Sequence, residues 1–572
     1  MTKSILRGAA ITAALIGAVA CNDTKLDVVN PNSGESARVL GTPNDAEALL
    51  GTYYKRWSSG VYGSTGDLQG MASMLSLMNY SSLANNGLNA RTPFTGATNS
   101  NAPGNVVAGE QYRLYSYMGE VNRVASTFLT QLDAGLNLGS PARTARDKAF
   151  AEFLRGVSIG YTALMHDSVS IVSVGQSPQD AGVLVGYKAA ADSAYAALQR
   201  SVDQANVTAT GDQGFPLPTA WIPSPTSWTK PNFIQLVRSY RARLRANMAR
   251  TPAERAAADW TAIVADAQNG FTADHLITTN VTTGPTNSWR SQFLSFVTWH
   301  QMPPFFIGMA DVSGSYAAWI AQPLGDRNGF TMVTPDLRFP QGASRAEQQA
   351  DFAITSCTSA NTACKRYFVN RPSGNDVSSG NGFGFSNYDH VRFYSWASNG
   401  DGSGARNGPT PHMVKTELDM LQAEGLYRQG SYAAVAALVN VTRTRNGLPA
   451  ITAFDATSPV PGGAQCVPKV PVAPFNVVAC GNLWDALKYE KRIETAYTHY
   501  APWFLDGRGW GELPKDTPLF WAVPYQDLQA RGAALTAIYG TGLGTGNAPN
   551  SVAAQSVYGW WQRELGCVVQ SR

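Results

Sequence analysis

Charge is scarce in this chain, histidine is scarcer, and no apolar run reaches the roughly 18 residues a membrane-spanning helix requires. Only 15% of the 572 residues are charged, 44 Lys and Arg against 40 Asp and Glu. A formal charge of +4 is small for that length, and the basic residues are scattered. That excludes the concentrated cationic face of a nucleic-acid binder. The six histidines, His166, His275, His300, His390, His412 and His499, form neither HExxH nor any other metal-ligand spacing, and no Gly-x-Ser-x-Gly elbow occurs. No metal or cofactor is expected. Gly540 to Gly546 lacks the Lys and the preceding strand of a phosphate loop. With Asp401 as position one of a calcium loop, position twelve is His412 where Glu is required, so Asn399 to Gly404 reads as a turn.

What is present is apolar, aromatic and rich in turns. Hydrophobic residues make up 44% and aromatic ones 10%, with 54 Gly and 32 Pro, a globular composition with many loops. Lys3 and Arg7 precede an apolar run from Ala9 to Ala20, which ends Ala18-Val19-Ala20-Cys21. A basic head, about a dozen apolar residues and small residues before a cut describe an export signal, and its ~18 Å of helix is too short to span a bilayer. Cys21 resembles the acylated residue of a bacterial lipobox, although Ala18 stands where Leu is commoner. Asn22 does not match the inner-membrane retention signal, Asp. Acyl chains contribute about 0.8 kcal/mol per buried methylene, so several on Cys21 make a firm anchor. Residues 1–20 are expected to be the signal, 21–43 a lipidated tether, and the remainder to be soluble outside the cytoplasm. Cys357 with Cys364, and Cys466 with Cys480, are close enough for local disulfides in an oxidising compartment, which leaves Cys567 over.

Hydrophobic periodicity predicts helices at about 44–57, 110–136, 143–168, 187–206, 230–250 and 253–269, then at 411–429, 431–446 and 481–500. Between 60 and 109, and again from 271 to 410, Gly, Asn, Ser and Pro dominate and the periodicity fades. No fixed-period repeat is visible. The expected architecture is mainly α: helical pairs in a TPR-like scaffold over 44–270 and 411–572, with a loop-rich insertion of little regular structure over 271–410.

Four segments resemble the SusD/RagB family of outer-membrane nutrient-uptake lipoproteins. Leu26-Asp27 with Pro31, then Ala48-Leu49-Leu50-Gly51-Thr52-Tyr53, is similar to the family's opening "LD…P" and "aG.Y" helix. Ala149 to Gly156 is similar to "A.a.fLRA". Glu417 to Glu424, with Asn440 to Pro449, is similar to "E..L..AEA…iN.vR.R.glp". Glu490-Lys491-Arg492-Ile493-Glu494 with Asp506 to Gly511 is similar to "ERRiE…DlrRWG", and Trp521 to Pro524 to "yPiP". Between the halves of the fourth motif the family carries a further Glu and Arg. Here Tyr497 to Trp503 stands instead and is two residues longer, which implies a reshaped helix end. The resemblance implies a cell-surface, outer-membrane lipoprotein partnered by a SusC-like TonB-dependent transporter, acting as its lid and capturing an oligosaccharide or peptide without covalent chemistry.

Glu417 and Glu424 lie two helical turns apart, Glu490 and Glu494 one turn apart. With Arg443, Arg445, Arg492 and Arg508 they are expected to tie helices together. The competing reading is a paired-carboxylate glycoside hydrolase; a structural or adhesive surface protein is a third. A sugar ring offers an apolar face to aromatics and hydroxyls to amides and charges. Arg91, Phe94 and Asn101 in the first loop region, and Trp289, Trp299, Tyr316 and Trp319 in the insertion, are therefore the ligand-contact candidates.

Overall fold

The structure is a computed structural model, and it describes residues 42–63, 68–80, 101, 103, 108–177, 180–207, 214–287, 301–353, 366–372, 385–394, 396, 406–472, 476–514 and 517–533. The first helix, α1 (Pro43–Tyr62), starts where Thr42 accepts a hydrogen bond from the Asp45 N–H and Pro43 occupies the first turn. Its Ala46, Leu50, Tyr54, Trp57 and Val61 recur at helical spacing and are fully buried. A second helix, α2 (Leu68–Leu75), lies in the segment expected to be loop. All eight of its residues are buried, so no polar face gives it an amphipathic period, and burial rather than pattern holds it in place.

The scaffold continues through α3 (Ala108–Asp133), α4 (Pro141–Met165), the strands β1 (Ser168–Ile171) and β2 (Val183–Gly186), α5 (Tyr187–Ala205) and α6 (Lys230–Asn247). Each successive pair packs side by side: α1 on α3, α3 on α4, α4 on α5 and α5 on α6. Gly156 and Gly160 allow α4 its close neighbours. A Cβ on Gly156 would stand 2.5 Å from Leu198 of α5, and one on Gly160 would stand 2.6 Å from Leu244 of α6. The helix expected over 253–269 divides into α7 (Pro252–Ala256) and α8 (Trp260–Gln268), because Asp259 caps the second piece through the Ala262 N–H.

The insertion hangs from a two-stranded clasp. Strand β3 (His275–Thr279) opens it and β6 (Gly408–Met413) closes it, antiparallel from His275 opposite Met413 to Thr279 opposite Gly408. This strand replaces the first residues of the helix expected at 411, since Pro409 and Pro411 fix an extended backbone. After it, α12 (Lys415–Arg428) packs on α8 and α6, so the scaffold resumes against the helices that preceded the insertion. It ends with α13 (Tyr432–Arg445), the hairpin β7 (Lys469–Val472) and β8 (Val477–Cys480), α14 (Leu483–Thr495), α15 (Pro502–Trp510) and α16 (Tyr525–Ala530). A disulfide joins Cys466 to Cys480 across the base of that hairpin, with Cα atoms 5.8 Å apart. Cys21, Cys357, Cys364 and Cys567 lie outside the described residues. Among the described residues no helix is long and apolar enough to cross a membrane.

The insertion has more order than its composition implied. It forms α9 (Pro304–Ile307), α10 (Ser315–Ala321), α11 (Arg345–Asp351) and the paired strands β4 (Phe368–Asn370) and β5 (Tyr388–His390). Its aromatics build a second apolar cluster in which Phe305, Tyr316, Trp319, Phe339, Phe368 and Tyr388 pack with Tyr489, Tyr497 and Trp503 of the scaffold. Residues 496–501 form the reshaped helix end that the departure from the family motif implied: α14 stops at Thr495, and Tyr497 (φ 58°) and Ala501 (φ 48°) turn the chain into α15.

Buried ion pairs join the two halves of the scaffold. Arg243 of α6 grips Glu417 of α12 through two hydrogen bonds of 2.7 Å, with both side chains 1% exposed. Arg255 of α7 grips Glu424 of α12 at 2.9 and 2.7 Å and reaches Asp506 of α15 at 3.1 Å. Removing one partner strands an uncompensated charge in the interior, which costs about 3–5 kcal/mol, whereas an apolar pair of similar volume often does not. Arg243→Met is therefore expected to lower unfolding free energy by about that amount, and Arg243→Met with Glu417→Leu to recover most of it, read by chemical denaturation.

Candidate ligand-binding site

The paired carboxylates are committed to structure. Glu490 and Glu494 of α14 are both fully buried, and Arg338 from the insertion lies 2.8 Å from the first and 3.2 Å from the second. Thr442 donates to Glu490 at 2.8 Å, Tyr367 donates to Glu494 at 3.0 Å, and Arg445 adds a contact to Glu494 at 3.1 Å. Arg392 and Arg338 hold the Glu494 carboxyl below the usual carboxylate range against the opposing effect of burial. Among the described residues both carboxylates are closed off from solvent, which leaves no room at them for the substrate and water of a two-carboxylate hydrolase. Of the arginines expected to partner these acids, Arg443 is 3.7 Å from Glu490 and Arg492 pairs with Glu512. Arg508 instead donates to the carbonyls of Leu164, Leu519 and Asn247. Sequence reasoning missed Arg243, Arg255 and Arg338, because nothing local marks an arginine whose partner is 150 or more residues away.

Three ligand candidates fall in the interior. Asn101 is 3% exposed, donates to the Val523 carbonyl at 2.8 Å and accepts from Gln111 at 2.6 Å and the Tyr525 N–H at 3.0 Å. Tyr316 is 1% exposed and donates to the Phe305 carbonyl at 2.7 Å. Trp319, 3% exposed, lies edge-on to Phe305 at 5.0 Å under Arg327. In this structure all three are engaged in the interior: Asn101 ties α3 to the segment around Val523, and the two aromatics join a local apolar core. Arg91, Phe94, Trp289 and Trp299 lie outside the described residues.

An open cleft of about 310 Å³ does combine ring, acid and base. One stripe of α3 supplies Tyr112, Ser116, Gly119, Glu120 and Arg123, with Tyr115 beneath. Glu120 is fixed from behind by Arg56 of α1, whose Nε and Nη2 each donate to it at 2.6 Å. Asp527 and Arg531, in and after α16, form the opposite pair at 2.6 Å. Arg531 also donates to the Gly182 carbonyl at 2.6 Å and to Ser170 Oγ at 2.5 Å, which locks α16 onto the β1–β2 hairpin. That hairpin is tied to α3 in turn: the Val172 N–H donates to Asn122 at 2.8 Å and Ser126 donates to the Val172 carbonyl at 2.9 Å. Burial, with the Asp527 charge nearby, pushes the Tyr115 phenol well up, so it stays a neutral hydroxyl. Tyr112 is 38% exposed, and a Cβ added at Gly119 would meet nothing within 4 Å. Two carboxylates and two guanidinium groups line the cleft, with the Arg56 guanidinium behind Glu120, so the lining offers both donors and acceptors. Nothing local in the sequence marks these residues as a site, since the hairpin and α16 that complete the cleft come from distant segments.

No family model matches the chain, and no curated protein matches its sequence. Among solved structures it is similar to a SusD superfamily protein from Parabacteroides distasonis, at 11% identity over 86% of this chain and 97% of that one, with a TM-score of 0.53. A SusD superfamily protein from Bacteroides vulgatus gives 11% identity, 86% and 90% coverage and a TM-score of 0.48. A laminarin binding SusD-like protein gives 12%, 85%, 97% and 0.44. The fold is SusD-like: mainly α, built from packed helical pairs, as the sequence motifs implied.

The histidines give the scaffold an acid limit. His166, with Nδ1 2.9 Å from the Ala522 carbonyl, is lowered to about 4 by burial and the Arg250 charge. His275 is lowered to about 3 by burial and Arg243, and His499 is pushed well down for the same two reasons. An unfolded histidine takes up its proton near pH 6.5. Folded stability is therefore full above pH 6.5 and falls as pH drops toward 4, because there the unfolded chain binds protons that the folded chain does not. His166 alone accounts for a loss of about 3 kcal/mol over that window. Melting temperature measured from pH 7.5 to 4.5 is expected to fall steeply, and His166→Gln to flatten the fall.

Proposed function

We propose that this chain is a member of the SusD/RagB family: a nutrient-binding lipoprotein, anchored at Cys21 in the outer membrane and facing the cell exterior. In this reading it captures an oligosaccharide and acts as the lid of a SusC-like TonB-dependent transporter. The observation that carries the ligand class is the α3 cleft. Its exposed Tyr112 ring suits the C–H face of a sugar, and Glu120 and Arg531 keep hydrogen-bonding capacity beyond their own ion pairs. The lining mixes donors and acceptors beside the ring, which suits a sugar's hydroxyls. A peptide is the nearest rival. The SusD-like fold and the lipobox-like Cys21 support the surface placement and the partner. Arg91, Phe94, Trp289 and Trp299 are proposed as further ligand contacts.

A lid needs no chemistry, only differential contacts with ligand and barrel in open and closed arrangements. The glycoside-hydrolase alternative loses its best candidates, since Glu490 and Glu494 are enclosed by arginines. Gly119→Leu tests the cleft directly, because the new side chain enters open space on an exposed helix face and removes a helix-weakening glycine. On a glycan array and then by calorimetry on the best hit, it is expected to weaken binding at least about tenfold, the loss of ~1.4 kcal/mol, with melting temperature unchanged or raised. Undiminished glycan binding by the variant would move the site elsewhere, and tight peptide binding without any glycan would replace the ligand. A tagged protein recovered from native outer membranes in mild detergent is expected to bring a TonB-dependent barrel with it in equal amount. Its absence would leave a free-standing binder or adhesin.

A further inference from the structure

A second open cleft, of about 390 Å³, forms where α6 ends. On one side the first turns of α5 contribute Tyr187, Asp192 and Tyr195; on the other, the last turn of α6 and the residues after it contribute Arg245 and Met248. Its floor is made largely of alanines, at 191, 249, 257 and 258, where larger aliphatic residues would have filled the space. Small floor residues between two packed helices leave an apolar slot, and the charged groups stand around it.

Those charges are unequally committed. Glu254 is saturated: it accepts from Tyr187 at 2.6 Å and from the Arg250 N–H at 2.7 Å, and Lys188 lies 3.1 Å from it. That contact also occupies Lys188. Arg245 lies over the Tyr195 ring at 4.9 Å and 3.5 Å from Asp259. Asp259 in turn caps α8 through the Ala262 N–H at 2.9 Å. Asp192 is the exception: among the described residues it makes no hydrogen bond and no ion pair, and it lines the slot from an exposed position. The slot thus offers an apolar floor and, among rim charges otherwise paired with one another, one carboxylate without a partner among the described residues, Asp192.

We propose that this cleft binds an aliphatic ammonium, its methylene stem lying along the alanine floor and Met248 and its charge meeting Asp192. The chemistry is shared by a lysine side chain of a peptide segment and by a small free diamine. The inference does not depend on the oligosaccharide reading, because the two clefts share no lining residue. Full-length protein would be titrated at low salt with cadaverine, with Nα-acetyl-lysine methylamide, and with its Nε-acetylated neutral analogue. Saturable binding of at least one amine, absent for the neutral analogue, is the expected result. Asp192→Asn removes the counter-charge and Ala257→Trp fills the slot; both positions are exposed, so both variants are expected to fold. Each should weaken binding about fivefold or more, the upper range for an exposed ion pair. Binding of the blocked lysine alone assigns a peptide side chain, and binding of cadaverine alone assigns free amines. Failure of both amines to bind, equal affinity for the neutral analogue, or binding that survives either substitution overturns the proposal.

Discussion

Arg243, Arg255 and Arg338, each buried against two or more acceptors, hold together parts of the chain that the insertion separates. Arg243 and Arg255 belong to the helices before it, and their carboxylates, Glu417, Glu424 and Asp506, to the helices after it. Arg338 comes from the insertion itself and closes on Asp336, Glu490 and Glu494. A buried charge is tolerated only where its partner is placed to within a fraction of an ångström, since desolvation otherwise exceeds the attraction. That intolerance is what the fold uses. A helix that slides by one residue loses its guanidinium–carboxylate register and leaves both charges uncompensated. Apolar burial supplies the drive to collapse, and these pairs select one collapsed arrangement.

From this follows the division between core and surface polar groups. Arg508 and Arg250 lack a directly bonded carboxylate and donate through their terminal nitrogens to main-chain carbonyls of Ala163, Leu164 and His166 near the end of α4, and of Asn247 at the end of α6. Helix ends present carbonyls without partners inside the helix, so an arginine there satisfies both itself and the helix. Charges not consumed in this way are left at the margins of the scaffold. The α3 cleft is such a margin: its two ion pairs are pinned by α1 and by the β1–β2 hairpin, yet each retains capacity toward solvent. A rigid frame with residual hydrogen-bonding capacity is what positions a ligand without chemistry.

The legible part of the fold was the part with period. Ala46, Leu50, Tyr54 and Trp57, or Phe233, Leu236, Val237, Tyr240 and Leu244, announce their helices through spacing alone, and their burial matches. Helix α2 escaped because it is buried on all sides, and the break between α7 and α8 because it depends on the Asp259 cap rather than on hydrophobicity. The insertion misled in the other direction. Its many Gly, Asn and Pro residues suggested loops bearing ligand contacts, yet Tyr316 and Trp319 serve a local core that short helices and strands enclose. Glu417, Glu424, Glu490 and Glu494 were read rightly as ties, but three of their main partners lie far away in sequence, where no local pattern records them. For the site, Tyr112, Glu120 and Arg123 were ordinary members of a helix until the hairpin and α16 were seen to wall them in.

The same pairs bear on how a protein of this shape moves. The β3–β6 clasp and the Arg338 cluster join the insertion to the scaffold at two separate places, one at its base and one on α14. Opening between insertion and scaffold would have to uncover Arg338, Glu490 and Glu494 together, three fully buried charges whose exposure one at a time leaves the others uncompensated. A hinge at that boundary is therefore an expensive place for motion. Motion of the described body would carry insertion and scaffold together, with the α3 cleft unchanged in shape.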